Sequence, residues 1–233
     1  MANYLEMPYN SAFDFGTGDF SAMFWVKGGG PTQVILDRRN PNDLTQAGFF
    51  LYIDLSPINT LRFATQDGTS ASITNSTSSV VSADWKHLCV VRSSSGTQLD
   101  IYINGALDKS AAVTQRNVTN ANATMTIGLE SEKDQYAFSG SLALLRISAT
   151  APTADQIAKI YNDEKVLFQE NAEATLYGSS DAVTALAHDP DTDLLHVGTS
   201  AGRSVFDGLR RIDNTTDAVT TAISASGGFI LEQ

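Results

Sequence analysis

The sequence of 233 residues predicts an all-β protein, an antiparallel β-sandwich followed by a helix and a small C-terminal β segment. Three observations support this fold class. As far as about Pro152, short runs rich in Val, Ile, Phe, Tyr and Thr alternate with clusters of Gly, Asn, Asp and Ser, as in strands joined by turns. Asn104-Gly105 is a dipeptide that favours a two-residue hairpin turn. Beyond Pro152, a helix start and a helical repeat replace the strand pattern.

The strands of the sandwich are predicted from runs of β-branched and aromatic residues between turn signals. In chain order they are Phe20–Lys27, Phe49–Asp54, Leu61–Thr65, Ala71–Thr74, Trp85–Arg92, Leu99–Ile103, Ala106–Ser110, Met125–Leu129 and Phe138–Ser148. The run from Trp85 is apolar on both faces, as expected for a strand that is covered on both sides. Strands at this spacing, without helical patterns between them, predict a sandwich or jelly roll. Trp25 and Trp85 are expected to fill its core.

The helix is predicted over about 153–171, because Thr153 and Gln156 form a capping box and apolar residues then recur at helical spacing. Val183–Ala187 and Leu194–Thr199 follow as strands, then Ser204–Ile212 and two weaker candidates at 218–224 and 228–231. The tail has few large side chains for a core of its own. We therefore expect three parts: a sandwich over 1–152, a connecting helix over 153–171, and an oligomerisation or anchoring segment over 172–233.

The order of several short motifs resembles a known family. FSAMFWVK, WKHLCVVR, LDIYINGALD, MTIGL and FSGSLALLRIS, followed by a Thr-capped helix, resemble a laminin-G-like, concanavalin A-like jelly roll over about residues 10–165. The C-terminal stretch DAVTALAHDPDTDLLHVGTSAG is similar to C-terminal segments of tailed-bacteriophage structural proteins and to one isolated β-propeller blade. A single blade cannot close a ring, so this likeness implies that neighbouring subunits complete the packing.

Charge and cysteine content exclude several classes of function. The 15 Lys and Arg against 26 Asp and Glu give a formal net charge of −11, which argues against binding to nucleic acid or to an anionic membrane. No apolar run is long enough to insert into a membrane, and the N-terminus shows no signal peptide. The one cysteine, Cys89, excludes an internal disulfide framework and is expected to be a small core residue.

Two motifs are similar to catalytic sites, but neither is complete. Gly198 to Gly202 matches the nucleophile elbow G-x-S-x-G, yet neither a helical pattern nor a histidine follows it. Glu132-Lys-Asp134 is similar to the paired carboxylates of jelly-roll glycosidases, but Ala137 stands where their second Glu belongs. The sequence therefore predicts a protein that is not an enzyme.

Ligand and metal candidates follow from the resemblance. Many laminin-G-like domains bind one Ca²⁺ at the rim of the sandwich, which makes Asp37, Asp67 and Asp134 candidate ligands from loops. No other cofactor is expected. The Asp189, Asp191 and Asp193 series has only the first half of an EF-hand spacing and predicts a turn. Tyr136, Asp134 and Asp67 are the candidates for a glycan site, because a loop tyrosine can stack on a sugar.

Together these observations predict a non-enzymatic bacteriophage virion protein, a tail fibre or a capsid decoration, that is made in the host cytoplasm. Its expected partners are other virion proteins, a host surface glycan and further copies of itself, with a trimer as the expected oligomer. The candidate oligomerisation residues are Ile160, Leu167, Phe168, Leu195, Val205 and Phe206. Two alternatives stay open: a glycosidase-like jelly-roll enzyme, and a secreted cellular adhesion module with glycans at Asn75, Asn117, Asn122 and Asn214.

Overall fold

The computed structural model of the chain describes residues 3–133, 135–168, 182–208, 210–217, 224–226 and 229–231. It divides into two compact units, Met1–Lys165 and Val166–Gln233. The strands of the first unit are β1 Leu5–Met7, β2 Phe20–Lys27, β3 Gln33–Arg39, β4 Gly48–Leu55, β5 Ile58–Gln66, β6 Ala71–Ser79, β7 Lys86–Ser93, β8 Gln98–Ile103, β9 Ala106–Ala112, β10 Thr124–Ile127 and β11 Ser141–Ser148. Its helix, α1, spans Ala154–Glu164, and a 3-10 turn follows at Lys165–Phe168. No helix among the described residues is long and apolar enough to span a membrane.

The first unit is a sandwich of two antiparallel sheets, as the sequence predicts. The six-stranded sheet has the order β1-β10-β3-β4-β5-β6, and the five-stranded sheet has the order β11-β2-β7-β8-β9. The Asn104-Gly105 dipeptide joins β8 to β9, and both of its residues have positive φ angles, 51° and 79°. This confirms the predicted hairpin and the all-β fold class.

The core lies between the two sheets and is built from alternate residues of each strand. Its members are almost fully buried apolar side chains: Phe20, Phe24, Leu36, Phe49, Leu51, Ile53, Leu61, Phe63, Leu88, Val90, Leu99 and Ile101. Because these side chains fill the inward face, the residues between them point to the outer faces of the sheets.

Helix α1 covers part of the outer face of the five-stranded sheet. The Thr153 hydroxyl accepts a hydrogen bond from the Gln156 amide at 3.2 Å, and the Gln156 side chain accepts one from the Thr153 amide at 2.9 Å, which confirms the capping box. Ile157 is buried against a small cluster made of Met23, Cys89, Val91 and Tyr102. The α-helix ends at Glu164, earlier than predicted, and residues 169–171 of the predicted helix lie outside the described residues.

Several details differ from the prediction. Strands β1 and β3 are not predicted from the sequence. The Asp37-Arg38-Arg39 run of β3 is charged, which hides a strand that is in fact buried. Trp25 is 2% exposed but lies on the outer face opposite His87, and Trp85 is half-buried just before β7. Neither tryptophan therefore belongs to the cluster between the sheets.

The second unit contains a four-stranded antiparallel sheet in simple up-and-down order, β12 Val183–Asp189, β13 Leu194–Thr199, β14 Gly202–Asp207 and β15 Arg210–Thr215. The single strand predicted over 204–212 is wrong, because the chain reverses at Gly208, whose φ is +56°. A short hairpin, β16 Ser224–Ser226 and β17 Phe229–Leu231, follows. Residues 218–223 of the predicted strand before it lie outside the described residues. Four strands in this order also form one blade of a β-propeller.

Candidate ligand-binding site

The outer face of the six-stranded sheet carries polar and aromatic side chains in register. One row crosses three strands from Tyr52 on β4 to Arg62 on β5 and Asn75 on β6. A second row, two residues along β4, pairs Asp37 on β3 with Phe50. Because strands lie about 5 Å apart, neighbours in one row are in direct contact. We call this surface the polar face and define it by Asp37, Arg39, Phe50, Tyr52, Asp54, Arg62 and Asn75, with Tyr136 at its border.

Asp54 is the central hydrogen-bond acceptor of the polar face. Its carboxylate binds Arg62 Nη2 at 2.5 Å and accepts a hydrogen bond from Asn75 Nδ2 at 2.8 Å. The backbone amide of Leu55 donates to the other carboxylate oxygen at 2.8 Å. Burial disfavours the charged carboxylate, but the hydrogen bonds from Asn75, the Ser56 amide and Arg62, together with the Arg62 charge, outweigh it and lower the pKa of Asp54. Asp54 therefore holds the Arg62 and Asn75 side chains in a fixed arrangement.

Two tyrosine rings border this hydrogen-bonded group. The Tyr52 and Tyr136 rings meet edge to face, with centroids 5.8 Å apart and planes at 85°. The Arg62 guanidinium carbon lies 5.8 Å from the centre of the Tyr52 ring. Tyr136 has a φ of +60°, and its carbonyl oxygen accepts a hydrogen bond from the Val34 amide at 2.8 Å. The β-strand pairing and this bond position two half-buried rings beside charged and amide groups.

A second group of charges lies next to Phe50. Arg39 donates to both carboxylate oxygens of Asp37, at 2.8 and 2.7 Å, and its Nη2 also binds Glu130 at 3.2 Å. The Ser131 amide donates to the same Asp37 carboxylate at 3.1 Å, and Asp37 is 0% exposed. Burial raises the pKa of Glu130, although the charge of Arg39 opposes it. The Arg39 guanidinium carbon lies 4.3 Å from the centre of the Phe50 ring. The Arg39 cation therefore packs against this ring and helps to hold it in place.

The structure brings together only part of the predicted ligand site. Tyr136 lies at the polar face, whereas Asp134 lies outside the described residues. Asp67 follows the last residue of β5, five positions beyond Arg62 and therefore about 16 Å along the strand. Its carboxylate accepts from the Thr69 and Ser70 amides at 2.9 Å and binds Arg116 at 3.1 Å. The two amide hydrogen bonds and Arg116 lower the pKa of Asp67 to about 2, against a small effect of burial.

The described aspartates among the calcium candidates do not fit that ion. Asp37 lies in strand β3 rather than in a loop, which corrects the predicted placement, and Arg39 binds both of its carboxylate oxygens. Asp67 is bound by Arg116. Calcium needs several oxygen ligands that converge on it, and arginine guanidinium groups stand at these carboxylates instead. Within the described part of the chain, no group of three or more His, Cys, Asp or Glu side chains is placed to hold a metal ion.

The predicted oligomerisation residues differ in exposure. Ile160 is half-buried against the cluster beneath α1. Leu195 and Phe168 are half-buried, while Val205 and Phe206 are each only 4% exposed. Leu167, 56% exposed, is the one of the six that presents most of its side chain to solvent. Oligomerisation through these residues stays a prediction.

A model of the concanavalin A-like lectin/glucanases superfamily matches residues 2–158. The chain belongs to this superfamily. Its members share the two-sheet sandwich of the first unit, which confirms the predicted concanavalin-type jelly roll. No curated protein matches the chain by sequence.

Several solved structures similar to this superfamily member come from botulinum neurotoxins. One, from work showing that cell entry of botulinum neurotoxin type C depends on interaction with two ganglioside molecules, has a TM-score of 0.54 and 16% identity, and covers 87% of this chain and 50% of that one. The binding domain of botulinum neurotoxin DC in complex with SialylT has a TM-score of 0.52 and 16% identity over 87% of this chain and 49% of that one. The same binding domain in complex with rat synaptotagmin II has a TM-score of 0.52 and 16% identity, and the match covers 92% of this chain and 52% of that one. The chain thus spans about half the length of these relatives, and the likeness shows the fold alone.

Proposed function

We propose that this chain is a non-enzymatic glycan-binding module whose ligand lies on the polar face. The observation that carries the proposal is the placement of two half-buried tyrosine rings, Tyr52 and Tyr136, beside the hydrogen-bonded Asp54, Arg62 and Asn75. Sugars combine apolar C–H faces with several hydroxyl groups. Rings receive the first, and amide and guanidinium groups that Asp54 holds in place receive the second. Pockets that recognise small ligands combine these two kinds of group.

The likeness to botulinum binding domains supports the glycan class of ligand. Among those proteins, the type C toxin interacts with two ganglioside molecules and the DC binding domain is found with SialylT. Those facts belong to the toxins. They support a sugar as the ligand of this chain because the sandwich is shared and because its outer face carries groups suited to sugar.

A glycosidase-like enzyme is the second candidate, since the superfamily includes glucanases. A retaining glycosidase needs two accessible carboxyl groups about 5 Å apart. Asp37 and Glu130 are both bound by Arg39 Nη2, at 2.7 and 3.2 Å, so they are close to each other. Asp37 is 0% exposed and uses both oxygens to bind Arg39, so this pair offers no free nucleophile to a substrate. Binding is therefore favoured over hydrolysis.

We further propose that the chain is displayed on a bacteriophage particle and adheres to host surface glycans as a homo-oligomer. The likeness of the C-terminal segment to virion proteins motivates this role. In the second unit, β12 is an edge strand on which Val183 is 53% and Leu186 is 66% exposed. An edge strand with exposed apolar residues is suited to pairing with another chain. Assembly of several copies would multiply the affinity of a weak glycan site.

A glycan array probed with the intact full-length protein tests the binding proposal. Wild type should bind a defined set of glycans, and Tyr136→Ala and Arg62→Ala should each weaken binding at least tenfold. Tyr4→Ala is the matched control, because Tyr4 is 39% exposed in the same unit but outside the polar face, and it should bind like wild type.

Two results would contradict the proposal. Equal binding by all three variants would place the ligand elsewhere, and an array without any signal would remove glycan binding as the function. Release of reducing sugar from the bound glycans, measured in parallel, would favour the enzyme instead.

A further inference from the structure

His87 is a buried polar side chain without a polar partner. It lies on the outer face of the five-stranded sheet, on β7, opposite Trp25 of β2, and is 0% exposed. Its ring centroid is 5.3 Å from that of Trp25 and 6.1 Å from that of Tyr161 on α1. Within the part of the chain that the structure describes, neither Nδ1 nor Nε2 has a hydrogen-bond partner. A neutral imidazole tolerates this aromatic setting, but an imidazolium would lose its hydration, and the nearby Glu164 carboxylate compensates for only part of that loss.

Helix α1 is the element that closes this site, and it is held by contacts along one face, among them Tyr161, whose ring stacks on Trp25 with centroids 5.8 Å apart. Ile157 is the helix residue that is fully buried. At the other end, Glu164 accepts a hydrogen bond from Trp25 Nε1 at 2.8 Å and binds the two terminal nitrogens of Arg146 at 2.5 and 3.0 Å. An eleven-residue helix with one fully buried side chain is a segment that opens at lower free energy than the core.

The charged and titratable groups around His87 come from every element packed against it. α1 contributes Glu164 and Tyr161, and β11 contributes Arg146. β7 itself contributes Cys89, and β8 contributes Tyr102. Burial lowers the pKa of His87 to about 4, with Glu164 opposing this effect and Arg146 adding to it. Burial also acts on Glu164, but the hydrogen bonds from Arg146 and Trp25 outweigh it and lower the pKa of Glu164. Glu164 is thus already satisfied as an anion when His87 takes up a proton.

We propose that protonation of His87 releases helix α1 from the five-stranded sheet, so that docking of this helix responds to acid. When the helix leaves, water reaches the ring and solvates the imidazolium. The released state then binds a proton more tightly than the docked state, and acid shifts the equilibrium toward release. Release would expose Trp25 and the apolar cluster beneath α1, a surface that is covered at neutral pH.

The size and direction of the effect follow from the two pKa values of His87. Its pKa is about 4 in the docked state, and it returns toward the ordinary value of 6.5 when the helix is released. Docking is therefore fully favoured above about pH 6.5 and weakens as the pH falls toward 4. Between pH 7 and pH 5, the ratio of released to docked helix should rise about twentyfold.

Hydrogen exchange of the α1 backbone amides in the full-length protein tests this inference. Opening constants, corrected for the intrinsic exchange rate at each pH, should rise about twentyfold from pH 7 to pH 5 in wild type. His87→Phe keeps an aromatic ring but cannot be protonated, and its opening constant should stay constant. His188→Gln is the control, because His188 is an exposed histidine of the second unit, and it should respond like wild type.

A second measurement keeps the inference testable if the phenylalanine does not fit. The ring protons of wild-type His87, followed by NMR, should titrate well below 6.5 while the helix is docked. Opening that does not change with pH, the same twentyfold rise in His87→Phe, or an ordinary His87 titration would each overturn the proposal.

Discussion

Gly48, the first residue of β4, has no side chain, which leaves room for the Arg39 side chain beside it. A β-carbon added to Gly48 would lie 2.1 Å from the carbonyl oxygen of Arg38 and 2.9 Å from Cγ of Arg39. The first of these atoms belongs to the backbone and cannot move aside without shifting β3. Gly48 is therefore required by the close approach of two strands and by the bidentate pairing of Arg39 with Asp37.

Gly48→Ala should destabilise the protein by about 1–3 kcal/mol, the usual effect of overpacking a buried site. It should also weaken glycan binding, because Arg39 supports the Phe50 ring of the polar face. Urea denaturation measures the first effect and the glycan array the second. Gly30→Ala is the control, since the nearest atom to its added β-carbon is Nε2 of the Gln33 side chain at 3.7 Å, an ordinary contact. Equal stability of the two variants would contradict this account of Gly48.

At the level of elements, a strand could be predicted where its own run of residues is apolar. It could not be predicted where its charged residues pair with residues far away in the sequence. The bounds of β2 follow from its own apolar run. The charged run in β3 is buried because its partners come from elsewhere: Arg38 binds Asp14, and Arg39 binds Glu130. Alternation in Phe50, Tyr52 and Asp54 indicates a shared face. Only the register between strands, however, places Arg62 and Asn75 beside them, so this part of the site could not be derived from spacing.

The capping box of α1 gives a prediction at the level of one element. Thr153→Ala removes the hydroxyl that accepts from the Gln156 amide, and should destabilise the docked helix by about 1 kcal/mol. Hydrogen exchange of the α1 amides would show this as roughly fivefold greater opening. Thr150→Ala is the matched control, because Thr150 precedes the helix and its hydroxyl is hydrogen-bonded to that of Ser148 rather than to a helix amide. Equal exchange in both variants would show that the cap does not limit opening.

For the whole molecule, the position at which the chain is cut should decide the stability of the sandwich. The first compact unit ends at Lys165 and includes α1. A fragment of residues 1–168 contains this whole unit and should therefore have the free energy of unfolding that the unit has in the full-length chain. A fragment of residues 1–152 loses α1 and exposes Met23, Val91 and Tyr102. Loss of the buried Ile157 alone should lower its free energy of unfolding by about 2 kcal/mol. Urea denaturation of both fragments compares them, and equal midpoints would show that α1 adds no stability.

The full-length chain should form an oligomer, whereas the fragment of residues 1–168 should not. The formal net charge of −11 makes copies repel one another, so specific contacts are needed to hold an oligomer together. The exposed apolar residues Val183 and Leu186 on the open edge of β12 are available for such contacts. We therefore expect sedimentation velocity to show an oligomer, a trimer by our prediction, for residues 1–233 and a monomer for residues 1–168.

Leu186→Lys should weaken the oligomer because it places a charge on the edge of β12, whereas Leu107→Lys, at a comparably exposed site of the sandwich, should not. A full-length chain that sediments as a monomer at every concentration would show that the C-terminal segment has no role in assembly.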